Sequence, residues 1–324
     1  MKHDLRAGVR IDLTGAGGRA EAHVFKDEDI RAIEAAYLTG RPLLLKGEPG
    51  VGKSQFARAA AKGLKRDFRS KVVDATTQSR DLLWDTDLIE RLAQAQALGA
   101  GGGKGVDDVE DHLDIRRFIN PGVFWWGFNP GEAAKHVSEF RKSKTGNQLD
   151  EVGPKDYRGM VILIDEIDKA ESDVPNGLLE ALGDRQFTPD GYSDPITAVD
   201  SPLVIITTNE ERPLPPAFLR RCIVHKLSLG EGEEFRSLLI DRGKAHFPEH
   251  ATKHADMIAE AADLTLKDRA RAKQQNLRPL PGQAEFIDLL NAIFAEDQLL
   301  KRTPAETLAE LCDYILRKHS ELHE

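Results

Sequence analysis

The sequence predicts an α/β fold: a doubly wound parallel-sheet domain followed by a smaller all-α domain. Three observations carry that expectation. Leu43–Leu45, Met160–Ile164 and Leu203–Ile206 are apolar runs without polar interruption, as in strands covered by helices on both faces. Between them the apolar spacing turns helical, for example Ile30, Ile33, Ala36 and Tyr37, and strands alternating with helices argue for a doubly wound sheet. After about Gly230 the strand signals stop, and Leu238-Leu239, Phe286-Leu289-Leu290-Ile293 and Leu308-Leu311-Ile315 sit at helical spacing.

Residues 1–26 form an N-terminal extension, with alternating Val9, Ile11 and Leu13 running into a glycine turn at Gly15, Gly17 and Gly18. A helix begins at Asp27 and stops at Gly40 and Pro42, which end helices by left-handed geometry and a missing donor. The strand Leu43–Leu45, a glycine loop and a helix from Lys53 to Leu64 follow. Lys71–Asp74 reads as a second strand and residues 79–98 as a helix, carried by Leu82, Leu83, Leu88, Leu92 and Ala95. An insertion spans about 99–157, opening with glycines from Gly99 to Gly105 and holding an aromatic run, Phe124-Trp125-Trp126-Gly127-Phe128. That run is read as a packing cluster, because Trp and Phe dominate cores; the rival is a grip on another protein. Residues 172–186 read as helical. The expected domains are 27–229 and a helical lid at 230–324.

The chain has 324 residues, enough for about two domains on a prior of roughly 100–200 residues each. Apolar residues make up 40% and charged residues 31%, which leaves material for a core and excludes a fibre or a long disordered chain. The formal net charge of -9 makes nucleic acid an unexpected partner for the molecule as a whole. Cys222 and Cys312 offer no disulfide framework, which suits a reducing compartment. The first residues, Met1 to Arg6, mix acids and bases where a secretion signal needs an apolar stretch. No apolar run approaches the ~18 residues of a membrane span. The expectation is a cytoplasmic protein without a membrane partner.

The strongest chemical signal is Gly47-Glu48-Pro49-Gly50-Val51-Gly52-Lys53-Ser54, directly after a buried strand and opening a helix. The spacing matches the phosphate-binding G-x-x-x-x-G-K-[ST] pattern in its required context. Its glycines let backbone amides approach phosphates, and the helix aims its positive end at them. Lys53 is expected to neutralise the β and γ phosphates of ATP, and Ser54 to supply a hydroxyl to Mg²⁺. Gln55, the next helical residue, belongs to the same nucleotide-binding run.

A second signal is the strand Val161–Ile164 ending in Asp165 and Glu166. Carboxylates at the carboxyl edge of such a sheet lie where ligands sit. Asp165 is expected to hold Mg²⁺, and Glu166 to orient and polarise an attacking water. The third is Asn209, after Thr207 and Thr208 at the end of Leu203–Ile206. An amide there both donates to a phosphate oxygen and accepts from water.

Phosphate loop, Asp165-Glu166-Ile167-Asp168-Lys169-Ala170 and a strand ending in Asn209 together resemble an AAA+ ATPase. More narrowly, Asn176–Leu182 and Leu214–Cys222 resemble the MoxR-type members. The resemblance covers about 27–98 and 158–229. It implies an ATP-hydrolysing homo-oligomeric ring, expected to be hexameric, that remodels or activates a protein partner. A protein with a von Willebrand factor type A domain leads among such partners. It also implies an arginine that reaches a neighbouring subunit's nucleotide. Arg221 falls at that position and Arg220 beside it, and the doubling leaves open which acts. A lid arginine touching phosphate is expected at a helix start, where the matching region offers Arg278, ahead of its prolines.

Other readings stay in view. A GTPase is disfavoured because no Asn-Lys-x-Asp guanine signature occurs, and a P-loop kinase because Asp165-Glu166 with Asn209 fits water attack better than transfer to an acceptor. A nucleotide-sensing scaffold with little turnover, and a nucleic-acid-stimulated motor, remain alternatives. His246, His250 and His254 are spaced by four, but Pro248 interrupts any shared helix, so no metal site is expected.

Overall fold

The computed structural model describes residues 5–14, 20–100, 111–141, 158–171, 173–295 and 303–316. The glycine turn at 15–18, the glycines at 101–105 and the 142–157 part of the insertion lie outside the described residues. Strands are numbered β1 Arg10–Thr14, β2 Ala20–Val24, β3 Leu43–Lys46, β4 Asp67–Val72, β5 Trp84–Thr86, β6 Ile119–Pro121, β7 Met160–Asp165, β8 Gln186–Phe187, β9 Ile196–Thr197, β10 Leu203–Thr208 and β11 Ile223–Lys226. A five-stranded sheet has the order β11-β3-β10-β7-β4, with β10 and β4 both parallel to β7. The out-of-sequence order is that of a doubly wound α/β fold, as the buried runs predict.

The chain divides into two compact units. One comprises Met1–Arg31, Leu45–Gly63 and His225–Glu324. In it β1 and β2 form an antiparallel hairpin, where the sequence announced only one strand. Its helical part contains Gly232–His246, Ala255–Gln274, Gln283–Ile293 and Pro304–Leu316, around a core of Phe235, Leu239, Ile258, Phe286 and Leu290. Phe25 meets Phe56 edge-on with ring centroids 5.0 Å apart.

The other unit comprises Ala32–Leu44 and Leu64–Val224. Its core gathers Ile162, Ile164, Val204 and Ile206 from the strands with Phe124, Trp125 and Phe128 from the insertion. Trp125 is fully buried, its ring centroid 5.0 Å from that of His136 and 5.7 Å from those of Phe187 and Tyr192. Arg69 lies over the Trp126 ring, 4.1 Å from its centroid. The aromatic run therefore packs inward.

Three sequence expectations change. Residues 79–98 are not one helix: Ser79–Leu82 is a 3₁₀ turn, β5 pairs antiparallel with β6, and a helix starts only at Leu88. The strand read at Lys71–Asp74 runs from Asp67 to Val72. It pairs only with β7 in that sheet, and an edge strand tolerates the polar residues that hid it. The helix read over 172–186 is Asp173–Asp184, and Gln186 and Phe187 pair with β9 instead. The insertion contains β6 and short helices at Val123–Phe128 and Pro130–His136.

Candidate functional site

The phosphate loop grows from β3, whose Leu43, Leu44 and Leu45 are buried. The loop behind it turns directly into the helix Lys53–Leu64. Gly50 (φ 77°) and Gly52 (φ 95°) occupy left-handed backbone that a side chain resists. A Cβ on Gly47 would lie 2.7 Å from the Leu227 carbonyl oxygen, so the loop can follow this path only with glycine there. Lys53 is buried and its Nζ donates to the carbonyls of Gly47 (2.7 Å) and Glu48 (3.0 Å). Ser54 stands at the second helical position, half-buried, and Gln55 Nε2 donates to Glu21 at 3.3 Å.

The helix Gln283–Ile293 starts against this loop. A Cβ on Gly50 would stand 3.1 Å from Ala284 Cβ, and one on Gly52 would stand 3.5 Å from Gln283 Nε2. Arg269 donates to Glu48 at 2.6 Å and to the Pro281 carbonyl at 2.9 Å. Arg278 precedes the helix, is mostly exposed, and its Nη1 is 3.9 Å from Glu48 Oε1. The sequence offered nothing that marked Arg269 or Gln283, because both owe their place to tertiary packing.

Beside Val51 of the loop lies a concavity lined by His23, Lys26, Asp29, Leu229, Arg242 and Gln283. Asp29 is buried and accepts from His225 Nε2 (2.7 Å) and from the Lys26 amide (2.8 Å). Burial alone would raise its pKa, but the His225 and Lys26 hydrogen bonds hold it below the ordinary carboxylate value. Burial and the neighbouring Arg242 lower His23 to about 3 and His246 to about 4. Burial also lowers Arg242. These residues escaped the sequence reading because they carry no local motif.

A separate polar cluster lies at the carboxyl ends of β7 and β10. Thr207 is the relay between the two strands: its Oγ1 donates to Asp165 Oδ1 and accepts from the Glu166 amide at 2.9 Å. Glu166 adopts φ 62°, ψ 46°, a left-handed conformation that costs roughly 1–3 kcal/mol in a residue other than glycine. Its side chain accepts from Asn209 Nδ2 at 3.4 Å and from Lys169 Nζ at 2.7 Å. The Glu166 contact raises the Lys169 pKa. Buried Asp168 accepts from the backbone amides of Asn209 (3.2 Å) and Glu211 (2.9 Å), which fixes the loop that carries Asn209. Asp165, Glu166 and Asn209 are thus brought together through Thr207 and the Asn209 amide. Thr207 stood in the sequence only as the first polar residue after the apolar run Leu203–Ile206.

Arg220 and Arg221 end the helix Pro216–Arg221, and both are exposed. Among the described residues neither guanidinium has a hydrogen-bond or ion-pair partner. No group of three or more His, Cys, Asp or Glu among the described residues is arranged to hold a metal ion by itself. No helix among the described residues is long and apolar enough to cross a membrane.

Among curated proteins, the mitochondrial Lon protease homolog of Yarrowia lipolytica is 28% identical over 198 residues. That stretch is 59% of this chain but 12% of the relative's length. Among solved structures, two RuvB variants of Thermotoga maritima are similar at 15% identity, with TM-scores of 0.46 and 0.43. They cover 89% and 87% of this chain, and the chain covers 68% and 67% of theirs. The sequence pattern of the AAA domain (dynein-related subfamily) matches residues 42–222, more than half of the chain. The chain belongs to that family of AAA domains.

Proposed function

We propose that this protein is an ATPase that works as a homo-oligomeric ring and spends ATP on remodelling or activating a protein partner. The observation that carries the reading is the strand, loop and helix from Leu43 to Leu64, with Gly50 and Gly52 in left-handed backbone and Lys53 at the head of the helix. Amides in such a loop and a helix N-terminus bind phosphate.

The roles follow from the chemistry of each group. Lys53 releases the Gly47 and Glu48 carbonyls and turns its ammonium to the phosphates. Ser54 and Asp165 hold Mg²⁺, which when bound neutralises phosphate charge. Glu166 accepts the proton of a water attacking phosphorus, and Asn209, already a donor to Glu166, holds that carboxylate in line. Arg220 or Arg221 stabilises transition-state charge in a neighbouring subunit, an effect of about 10³–10⁵ in rate. Their exposure at the end of the helix Pro216–Arg221 supports that assignment. The motif runs around Asn176–Leu182 and Leu214–Cys222 favour the MoxR type, whose partners carry von Willebrand factor type A domains.

Turnover per subunit across a wide protein concentration range tests the reading. It is expected to rise with concentration and to vanish in Glu166→Gln, which still binds ATP. Turnover unchanged in Glu166→Gln, or ordinary ATP affinity in Lys53→Ala, would remove the assignment.

A further inference from the structure

Arg41 lies between the end of the helix Asp27–Thr39 and β3, well away in sequence from every motif. Its guanidinium nevertheless closes the far end of the helix that carries Arg220 and Arg221. Nε donates to the Arg221 carbonyl at 3.1 Å, and Nη2 donates to the carbonyls of Cys222 (3.1 Å) and Arg220. The next residue adds a backbone tie, the Ile223 amide donating to the Pro42 carbonyl at 2.8 Å. The last carbonyls of a helix have no partner within it, and a cation there also meets the negative end of the helix dipole. Only a planar fork of donors spans three successive carbonyls; a lysine offers one point charge.

The helix Pro216–Arg221 is too short to hold its own end rigid. Phe218 anchors its middle in the core, but Arg220 and Arg221 project from the last turn into solvent. The direction in which they leave the subunit is therefore set by the peptide planes that Arg41 grips. We infer that Arg41 is the positioning residue of the arginine finger, aiming Arg220 and Arg221 at the neighbouring subunit's nucleotide without touching it. This inference rests on the reading that one of those arginines acts in trans. Misplacing a catalytic group by about 1 Å can cost around 10²-fold in rate, so a loosened helix end is enough to silence a neighbour.

The test uses the full chain with Arg41→Met, which keeps an unbranched apolar stem and removes the guanidinium donors, and with Arg41→Lys. Arg41→Met is expected to bind ATP as the unaltered protein does while its turnover falls by about 10²-fold, and Arg41→Lys to fall in between. Mixing decides where the loss lies. An excess of Glu166→Gln subunits, inactive themselves but with an intact finger, is expected to restore turnover at the Arg41→Met sites, and equally at the sites of a double variant, Arg220→Ala with Arg221→Ala. Restoration of the double variant alone would overturn the role of Arg41 and leave the finger in place. If neither is restored, the trans reading of the arginines itself fails. Should Arg41→Met not fold, Arg41→Lys carries the same mixing experiment, and full unaided turnover in Arg41→Lys would also overturn the inference.

Discussion

Arg269 donates to Glu48 at 2.6 Å, joining a lid helix to the second residue of the phosphate loop. The guanidinium is largely buried, lies over the Phe235 ring at 5.1 Å from its centroid and also holds the Pro281 carbonyl. Glu48 thus places a negative charge on the loop expected to receive phosphates, and occupies a cation beside it. Glu48→Gln is expected to tighten ATP binding by roughly fivefold, which is about 1 kcal/mol, the scale of one partly solvated charge. Fold stability should move by less than ~1 kcal/mol, because the carboxylate is partly exposed. Calorimetric titration with ATP measures this; weaker binding would mean that Glu48 is needed to hold Arg269 in place.

The hydrogen bond from Asn209 Nδ2 to Glu166 makes a second prediction. If the amide holds the carboxylate in line with water and adds a donor where charge develops, Asn209→Ala loses about 10²–10³-fold in kcat. ATP affinity should stay close to that of the unaltered protein, since Asn209 lies outside the phosphate loop. Asn209→Asp should be at least as damaging, because it sets a second carboxylate against Glu166. Steady-state turnover together with a separate measurement of nucleotide affinity splits the two effects. A matched loss of both would move Asn209 into a binding role.

How much of this was readable in advance depends on the range of the signal. Gly47 to Ser54 is a local pattern whose meaning is complete within one strand, one loop and one helix, and its helix runs from Lys53 to Leu64 as read. Asp165 and Asn209 were found because uninterrupted apolar strands make their polar ends conspicuous. The region after Ser79 misled because Leu82 and Leu83 fit a helix as well as a turn. What breaks the helix is the pairing of Trp84 with Pro121, a partner that local periodicity cannot see. Arg41, Arg269 and Arg242 were invisible for the same reason: each is one more arginine in a charged chain until the fold brings carbonyls or a carboxylate to it.

Trp125 tests whether the aromatic run is structural. It is fully buried against His136, Phe187 and Tyr192. Trp125→Ala removes a large side chain from a packed core and is expected to cost about 3–5 kcal/mol. Denaturant unfolding monitored by circular dichroism would show this as a lower midpoint at unchanged slope. A stable variant that has lost only partner binding would instead make Trp125 a contact residue.

Acid should loosen the fold earlier than carboxylates alone would make it. Burial, reinforced by the charge of Arg242, holds the pKa values of His23 and His246 at about 3 and about 4 against an ordinary value of 6.5. In the unfolded chain both imidazoles take protons near pH 6.5, while the folded protein refuses them. Stability is therefore complete above pH 6.5 and falls as the pH drops toward about 4 for His246 and about 3 for His23. Each contributes up to ~1.4 kcal/mol per pH unit across its window. His23→Leu keeps an apolar contact with Phe25 and Phe56 and removes one titrating group. Denaturant midpoints between pH 7.5 and 5, a range above most carboxylate titration, should fall less steeply in this variant, the remaining slope coming from His246 and from His136, which burial also lowers. Equal slopes would show that His23 is protonated as easily in the fold as outside it.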